Sequence, residues 1–226
     1  MKTGNSIKFA ALLALAGSAH AMAGSGFTGF SYDVDVYADG FGGDWYTVDV
    51  YADFTDDSWA VLNVFNADIT TNDGGGFHHN DLADASGGSW KPSFSFDIAG
   101  VYDPNRDSYV TIGYDVGAGA ALNQTALDPG FGAGSGGYIP ENAGWFNLTP
   151  GDPQYASGGS LKVAHFVMSV DRTGLDFMTF TADLGYNTGP GSEVNFGADS
   201  QIIAIPAPGA LALLGLGGLA VRRRRN

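Results

Sequence analysis

Val34-Asp-Val-Tyr-Ala-Asp39 recurs identically as Val48-Asp-Val-Tyr-Ala-Asp53, and the Gly-rich link Gly40-Phe-Gly-Gly-Asp44 lies between the copies. Apolar and polar residues alternate in both. That two-residue period places Val34 and Val36 on one face of a strand and the aspartates on the other. The reading is two neighbouring antiparallel strands, made alike by similar surroundings. Two copies are too few for a solenoid.

The same pattern spreads outward. Tyr32–Tyr37, Thr47–Tyr51 and Phe94–Ile98 alternate. Trp59–Asn66, Ser108–Val116, Leu161–Val170, Asp176–Asp183 and Ser200–Ile205 are further strand candidates, rich in β-branched and aromatic residues. No stretch of the body has a helical period of useful length. About eight short strands between polar turns predict an all-β protein, a single antiparallel β-sandwich of jelly-roll type spanning residues 24–203. Residues 117–160 break the pattern, being Gly-rich and without clear periodicity. Such a stretch is expected to be a functional or loosely ordered insertion. Its Trp145, Phe146 and Tyr155 are expected to cap the core rather than to form an exposed aromatic platform.

Charge is uneven along the 226 residues. Ten Lys and Arg stand against 24 Asp and Glu, for a net charge of −14. Six of the basic residues are Lys2, Lys8 and Arg222–Arg225, and every acid lies between Asp33 and Asp199. The body therefore holds four basic residues against 24 acids, a balance of −20. So negative a surface repels phosphate backbones, which argues against nucleic acid as a partner. There is no cysteine, which excludes disulfides, thiolate metal sites and cysteine nucleophiles.

The first 23 residues have the three parts of a signal peptide. Lys2 and Lys8 supply the positive start, and Phe9–Ala16 is a short apolar core. Ala19-His-Ala21 and Ala21-Met-Ala23 offer overlapping cleavage sites after Ala21 or Ala23. The apolar run is shorter than the roughly 20 residues of a membrane span. Export through the secretion machinery is expected.

Residues 204–226 have a second layout of three parts. Ile205-Pro206-Ala207-Pro208 interrupts the preceding strand. Gly209–Val221 is apolar or small throughout, and Arg222, Arg223, Arg224 and Arg225 follow. A short hydrophobic helix with snorkelling arginines at its foot can be held in a bilayer. The arginines keep their end in the cytoplasm, as a basic stop, and leave the body outside.

This order of Pro-x-Pro, apolar Gly/Leu run and terminal Arg cluster resembles the PEP-CTERM sorting signal, a motif also catalogued as "ice-binding protein C-terminal". In the resemblance Pro206, Ala207 and Pro208 match the signature tripeptide, with Ala207 where the family has Glu. The resemblance implies recognition and processing by an exosortase, a membrane-embedded cysteine-dependent enzyme. It also implies a cell-surface or extracellular-matrix setting, with biofilm polysaccharide as a possible neighbour. It covers the tail alone and says nothing of the domain in front.

Motifs for chemistry within the body are sparse. Asp103-Pro-Asn105-Arg-Asp107 has the D-x-N-x-D spacing of a calcium loop, with Asp97 or Asp115 available to complete it. Ser108 replaces the usual Gly, however, and Tyr114 stands where a bidentate Glu belongs, so an Asp/Asn-rich turn is the simpler reading. His78-His79-Asn80-Asp81 and His165 lack any known metal-motif spacing. Gly132–Gly137 fits G-x-G-x-x-G, but without the strand and helix that motif needs. No nucleophile elbow is present.

The resulting expectation is a non-catalytic exported protein without a cofactor. The alternatives are an extracellular carbohydrate- or calcium-binding module and a secreted hydrolase.

Overall fold

The computed structural model describes residues 26–38, 43–79, 90–92, 104–115, 125–131, 137–149 and 151–206. The expected signal peptide, the candidate strand Phe94–Ile98 and residues 207–226 lie outside them.

The fold is all-β. Ten strands are described: β1 (Phe27–Ala38), β2 (Asp44–Phe54), β3 (Ala60–Thr71), β4 (Tyr109–Val110), β5 (Thr125–Leu127), β6 (Ala143–Asn147), β7 (Gln154–Tyr155), β8 (Ser160–Ser169), β9 (Phe177–Asn187) and β10 (Asn195–Ala204). A four-stranded sheet runs β1-β2-β8-β4. A six-stranded sheet runs β10-β9-β3-β6-β5, with β7 paired to β3. Every pairing is antiparallel. The two sheets form a β-sandwich.

The two VDVYAD copies are the neighbours that alternation demands. β1 and β2 pair with Val34 opposite Val48 and Val36 opposite Tyr46. Tyr46, Val48, Val50, Ala52 and Phe54 of β2 are all buried. They meet Met178, Phe180, Ala182, Leu184 and Tyr186 of β9 in one core. Aromatic contacts stitch the sheets together. Phe30 meets Phe180 edge-on at 5.0 Å, and Phe54 meets Tyr186 at 5.4 Å. Each large side chain so buried contributes about 2–3 kcal/mol of transfer free energy.

The Gly-rich stretch departs from expectation, since β5, β6 and β7 lie within it and widen the six-stranded sheet. Trp145 on β6 is 1 % exposed, and its indole Nε1 donates to the Thr111 carbonyl at 3.0 Å. Thr125 on β5 accepts from the Ile112 amide at 3.0 Å. Two polar links thus tie this stretch to the chain following β4. The expectation of core capping holds for Trp145. It fails for Phe146 and Tyr155, which are 39 % and 44 % exposed. On a strand, neighbours of Trp145 must face the other way.

The open sides of β1 and β10 are brought together at one corner. The Asp199 carboxylate on β10 turns inward and accepts the Phe30 amide of β1 at 2.7 Å. An inward charge of this kind blocks edge-to-edge pairing with another molecule. The core continues through Ile205, which is 4 % exposed and donates its amide to the Asp176 carbonyl at 2.8 Å.

Candidate functional site

Side chains with chemistry gather on the outer face of the four-stranded sheet. Strand register creates the arrangement: Asp33 on β1 lies opposite Asp49 on β2, Asp49 opposite His165 on β8, and His165 opposite Tyr109 on β4. Odd-numbered residues of β2 face outward because even-numbered ones fill the core.

Asp49 is the centre. Its Oδ1 lies 2.7 Å from His165 Nδ1 and 3.0 Å from Lys162 Nζ. Lys162 also pairs with Asp115, and Asp115 accepts from the Tyr109 hydroxyl at 3.3 Å. The Tyr109 ring stacks on His165 with centroids 5.0 Å apart. Lys162 lies 5.9 Å from the centre of the Tyr51 ring.

The electrostatics follow from this packing. Burial alone would raise the Asp49 carboxyl, but hydrogen bonds and charge from His165 and Lys162 outweigh it and hold the carboxyl below its ordinary range. Burial would lower the Lys162 ammonium, but Asp49 and Asp115 outweigh that and raise it. The Tyr51 phenol is pushed up to about 12, first by burial and then by the Asp49 charge. His165 Nε2 is buried and makes no hydrogen bond among the described residues. Among the described residues no hydroxyl completes a Ser-His-Asp relay there.

A second His–Asp pair lies nearby. His79 Nδ1 stands 3.0 Å from Asp107 Oδ1 and 3.0 Å from the Ser108 carbonyl. A carbonyl can only accept, so Nδ1 carries the proton. The His79 ring stacks on Trp90 at 4.5 Å, while His78 rests on Trp45 at 4.5 Å. Arg106 lies 5.4 Å from the centre of the Trp45 ring. The two adjacent histidines thus go to separate partners.

Of the calcium-loop candidates, Asp107 and Asp115 engage other partners. Pro104–Arg106 forms a 3-10 turn, Asn105 is exposed, and Asp107 is 3 % exposed and turned to His79. Asp115 is turned to Lys162 and Tyr109. Asp97 and Asp103 lie outside the described residues. Among the described residues no three His, Asp or Glu side chains converge as a metal set.

Gly137 is the described residue of the G-x-G-x-x-G match. It has φ +89°, and a Cβ there would stand 2.2 Å from the Phe77 carbonyl oxygen. Its own carbonyl accepts the Phe77 amide at 2.6 Å. This glycine permits a close backbone crossing.

Of the sorting residues, Pro206 is described. Its carbonyl accepts a hydrogen bond from the Tyr46 hydroxyl, whose ring is 2 % exposed on β2. Ala207, Pro208, Arg222, Arg223, Arg224 and Arg225 lie outside the described residues, as do Ala21 and Ala23. Among the described residues no helix is long and apolar enough to cross a membrane.

The Asp49–His165–Lys162–Asp115 network escaped the sequence reading. Its one trace was the outward Asp of each VDVYAD copy. Compared with known protein families, with curated proteins and with solved structures, the chain matches none.

Proposed function

We propose that the chain is an exported, non-catalytic cell-surface or matrix protein, processed at its C-terminal signal by an exosortase-type enzyme. The supporting observation is how the chain is held at Ile205 and Pro206. Ile205 is buried, the Pro206 carbonyl is bound by Tyr46, and the Pro206-Ala207-Pro208 tripeptide begins there. The apolar Gly209–Val221 segment and the four arginines follow without further sequence between. On this reading the two prolines are recognised, the apolar segment retains the chain at the membrane, and the arginines set its orientation.

Intact mass of the protein from its native host tests this, beside a variant with Pro206 and Pro208 both changed to Ala. Loss of both ends in the wild type, with the tail kept in the variant, is the expected result. Retention of Arg222–Asn226 in the native protein would reduce the tail to a plain anchor and defeat the reading.

A second reading, an extracellular carbohydrate-binding module, is favoured by a separate observation. Phe146 and Tyr155 in the Gly-rich stretch turn their rings to solvent, 39 % and 44 % exposed. Stacking of sugar rings on exposed aromatics is the chemistry such modules use.

A further inference from the structure

The outer face of the six-stranded sheet carries a row in register across four strands: Phe196 on β10, Gly185 on β9, Asn63 on β3 and Phe146 on β6. Strands about 4.8 Å apart place the two phenylalanines about 14 Å from one another. Both rings face solvent, Phe196 at 61 % and Phe146 at 39 % exposed. Phe65 meets Phe196 edge-on, with centroids 6.2 Å apart, and steadies it.

Between the rings the floor is low. Gly185 has no side chain, and Asn63 Oδ1 lies 2.1 Å from where a Cβ at 185 would stand. The amide therefore lies across the glycine, with hydrogen-bonding groups in the trough. An apolar protein partner would call for a continuous apolar centre. Here the aromatic rings are separated by small and polar residues.

Charge narrows the ligand. Asp183 lies opposite Phe65 and Asp68 opposite Thr181, on this same face. Asp183 accepts from Asn66 Nδ2 at 2.8 Å. Among the described residues neither carboxylate forms an ion pair. Asp183 stands two residues along β9 from Gly185, and Asp68 lies further along the same face, level with Thr181. Carboxylates without ion pairs on a face with exposed rings attract a cation and repel an anionic polymer, and the −20 body strengthens both effects.

We propose that this trough binds a polysaccharide carrying protonated amino groups. The sugar rings stack on Phe196 and Phe146, Asn63 hydrogen-bonds hydroxyls between them, and the ammonium groups pair with Asp183 and Asp68. The proposal deepens the carbohydrate-binding reading and is independent of tail processing.

Calorimetric titration of the full-length chain with deacetylated chito-oligosaccharide, and with its fully N-acetylated counterpart, tests it. The deacetylated form is expected to bind, and the N-acetylated form to bind several-fold more weakly. Phe196→Ala, which removes one of the two stacking rings, is expected to weaken binding about tenfold. Asp183→Asn is expected to weaken it several-fold and to lessen its salt dependence. Ile202→Ser, an exposed apolar change further along β10, is expected to leave binding intact. Absence of binding to the deacetylated oligosaccharide would overturn the proposal. So would binding that survives both Phe196→Ala and Asp183→Asn, which would mark diffuse attraction to the acidic body. Equal affinity for the N-acetylated form would overturn the assignment of the amine. Each outcome leaves the intact-mass result on the tail unchanged, so the two readings fail separately.

Discussion

Asp49 and His165 stand directly opposite one another on β2 and β8, with Oδ1 and Nδ1 2.7 Å apart, although 116 residues separate them in the chain. Lys162 shares the same carboxylate oxygen at 3.0 Å. Across the other side of β2, Asp33 lies opposite Asp49 with no cation of its own among the described residues. Like charges in directly opposed positions are destabilising, and opposite charges are stabilising.

The two aspartates should therefore respond with opposite signs. Asp49→Asn leaves Lys162 and His165 half-satisfied and should lower unfolding free energy by about 1–3 kcal/mol. Asp33→Asn removes a repulsion at an exposed site and should be neutral or stabilising by no more than about 0.5 kcal/mol. Urea unfolding of both variants measures this. Equal losses would mean that Asp49 acts as an ordinary surface charge.

The same network has a defined pH window. The Asp49 carboxyl is depressed in the folded state against about 3.9 when unfolded. Its contribution is complete above the unfolded value and is lost as pH falls through the folded one. The Lys162 ammonium is raised above its unfolded value of about 10.4, so its contribution is complete below that value and fades as pH rises through the folded one. Acidification also relieves repulsion among the other carboxylates, so the informative quantity is the gap between wild type and Asp49→Asn. That gap should close as pH falls through the folded Asp49 value. A gap that persists unchanged at pH 3 would assign the loss to packing.

Trp145 fastens the Gly-rich stretch to the core. Trp145→Ala should cost about 3–5 kcal/mol, combining lost burial with a cavity. Trp145→Phe keeps most of the ring but leaves the Thr111 carbonyl without its donor, and should cost about 1–3 kcal/mol. If the stretch were a loose insertion, both changes would leave thermal unfolding nearly unmoved.

Gly137→Ala should be among the more damaging single-methyl changes. A Cβ would stand 2.2 Å from the Phe77 carbonyl oxygen, at a residue whose φ is +89°. Backbone cannot swing aside as a side-chain tip can, so the 77/137 crossing must open. A loss above about 2 kcal/mol is expected, against under about 1 kcal/mol for Gly174→Ala, where nothing lies within 4 Å. Comparable losses at the two sites would show that left-handed strain alone sets the cost.

Long alternating strands were legible because each has enough residues to display a period. The six outward and inward positions of VDVYAD locate β1 and β2, and with them the sandwich. β5, β6 and β7 have three, five and two residues, too few to alternate visibly among glycines. Phe146 and Tyr155 looked like core because aromatics usually are, yet β6 has room for only one inward ring at that point, and Trp145 fills it. The Asp49–His165 pair was hidden for another reason. A contact across 116 residues depends on the β2–β8 register, which single-strand periodicity does not contain.

The last described bond of the domain gives the final prediction. Tyr46 donates its buried hydroxyl to the Pro206 carbonyl, while Ile205 is held by the Asp176 carbonyl and by its own burial. Tyr46→Phe keeps the ring and deletes only that bond, so global stability should fall by about 1 kcal/mol. The loss should be local. The Ile205 amide should exchange with solvent faster, while Val48 and Phe180, deep in the two sheets, should change only as much as global stability does. If Ile205 exchanges as in the wild type, the Asp176 pairing and the isoleucine side chain suffice to hold this segment. Should the sorting reading be correct, the consequence reaches processing. An enzyme that engages Pro206-Ala207-Pro208 must first draw Pro206 off Tyr46, so Tyr46→Phe should lose its tail faster in pulse–chase mass analysis. Unchanged processing kinetics would place the recognised segment beyond Pro206.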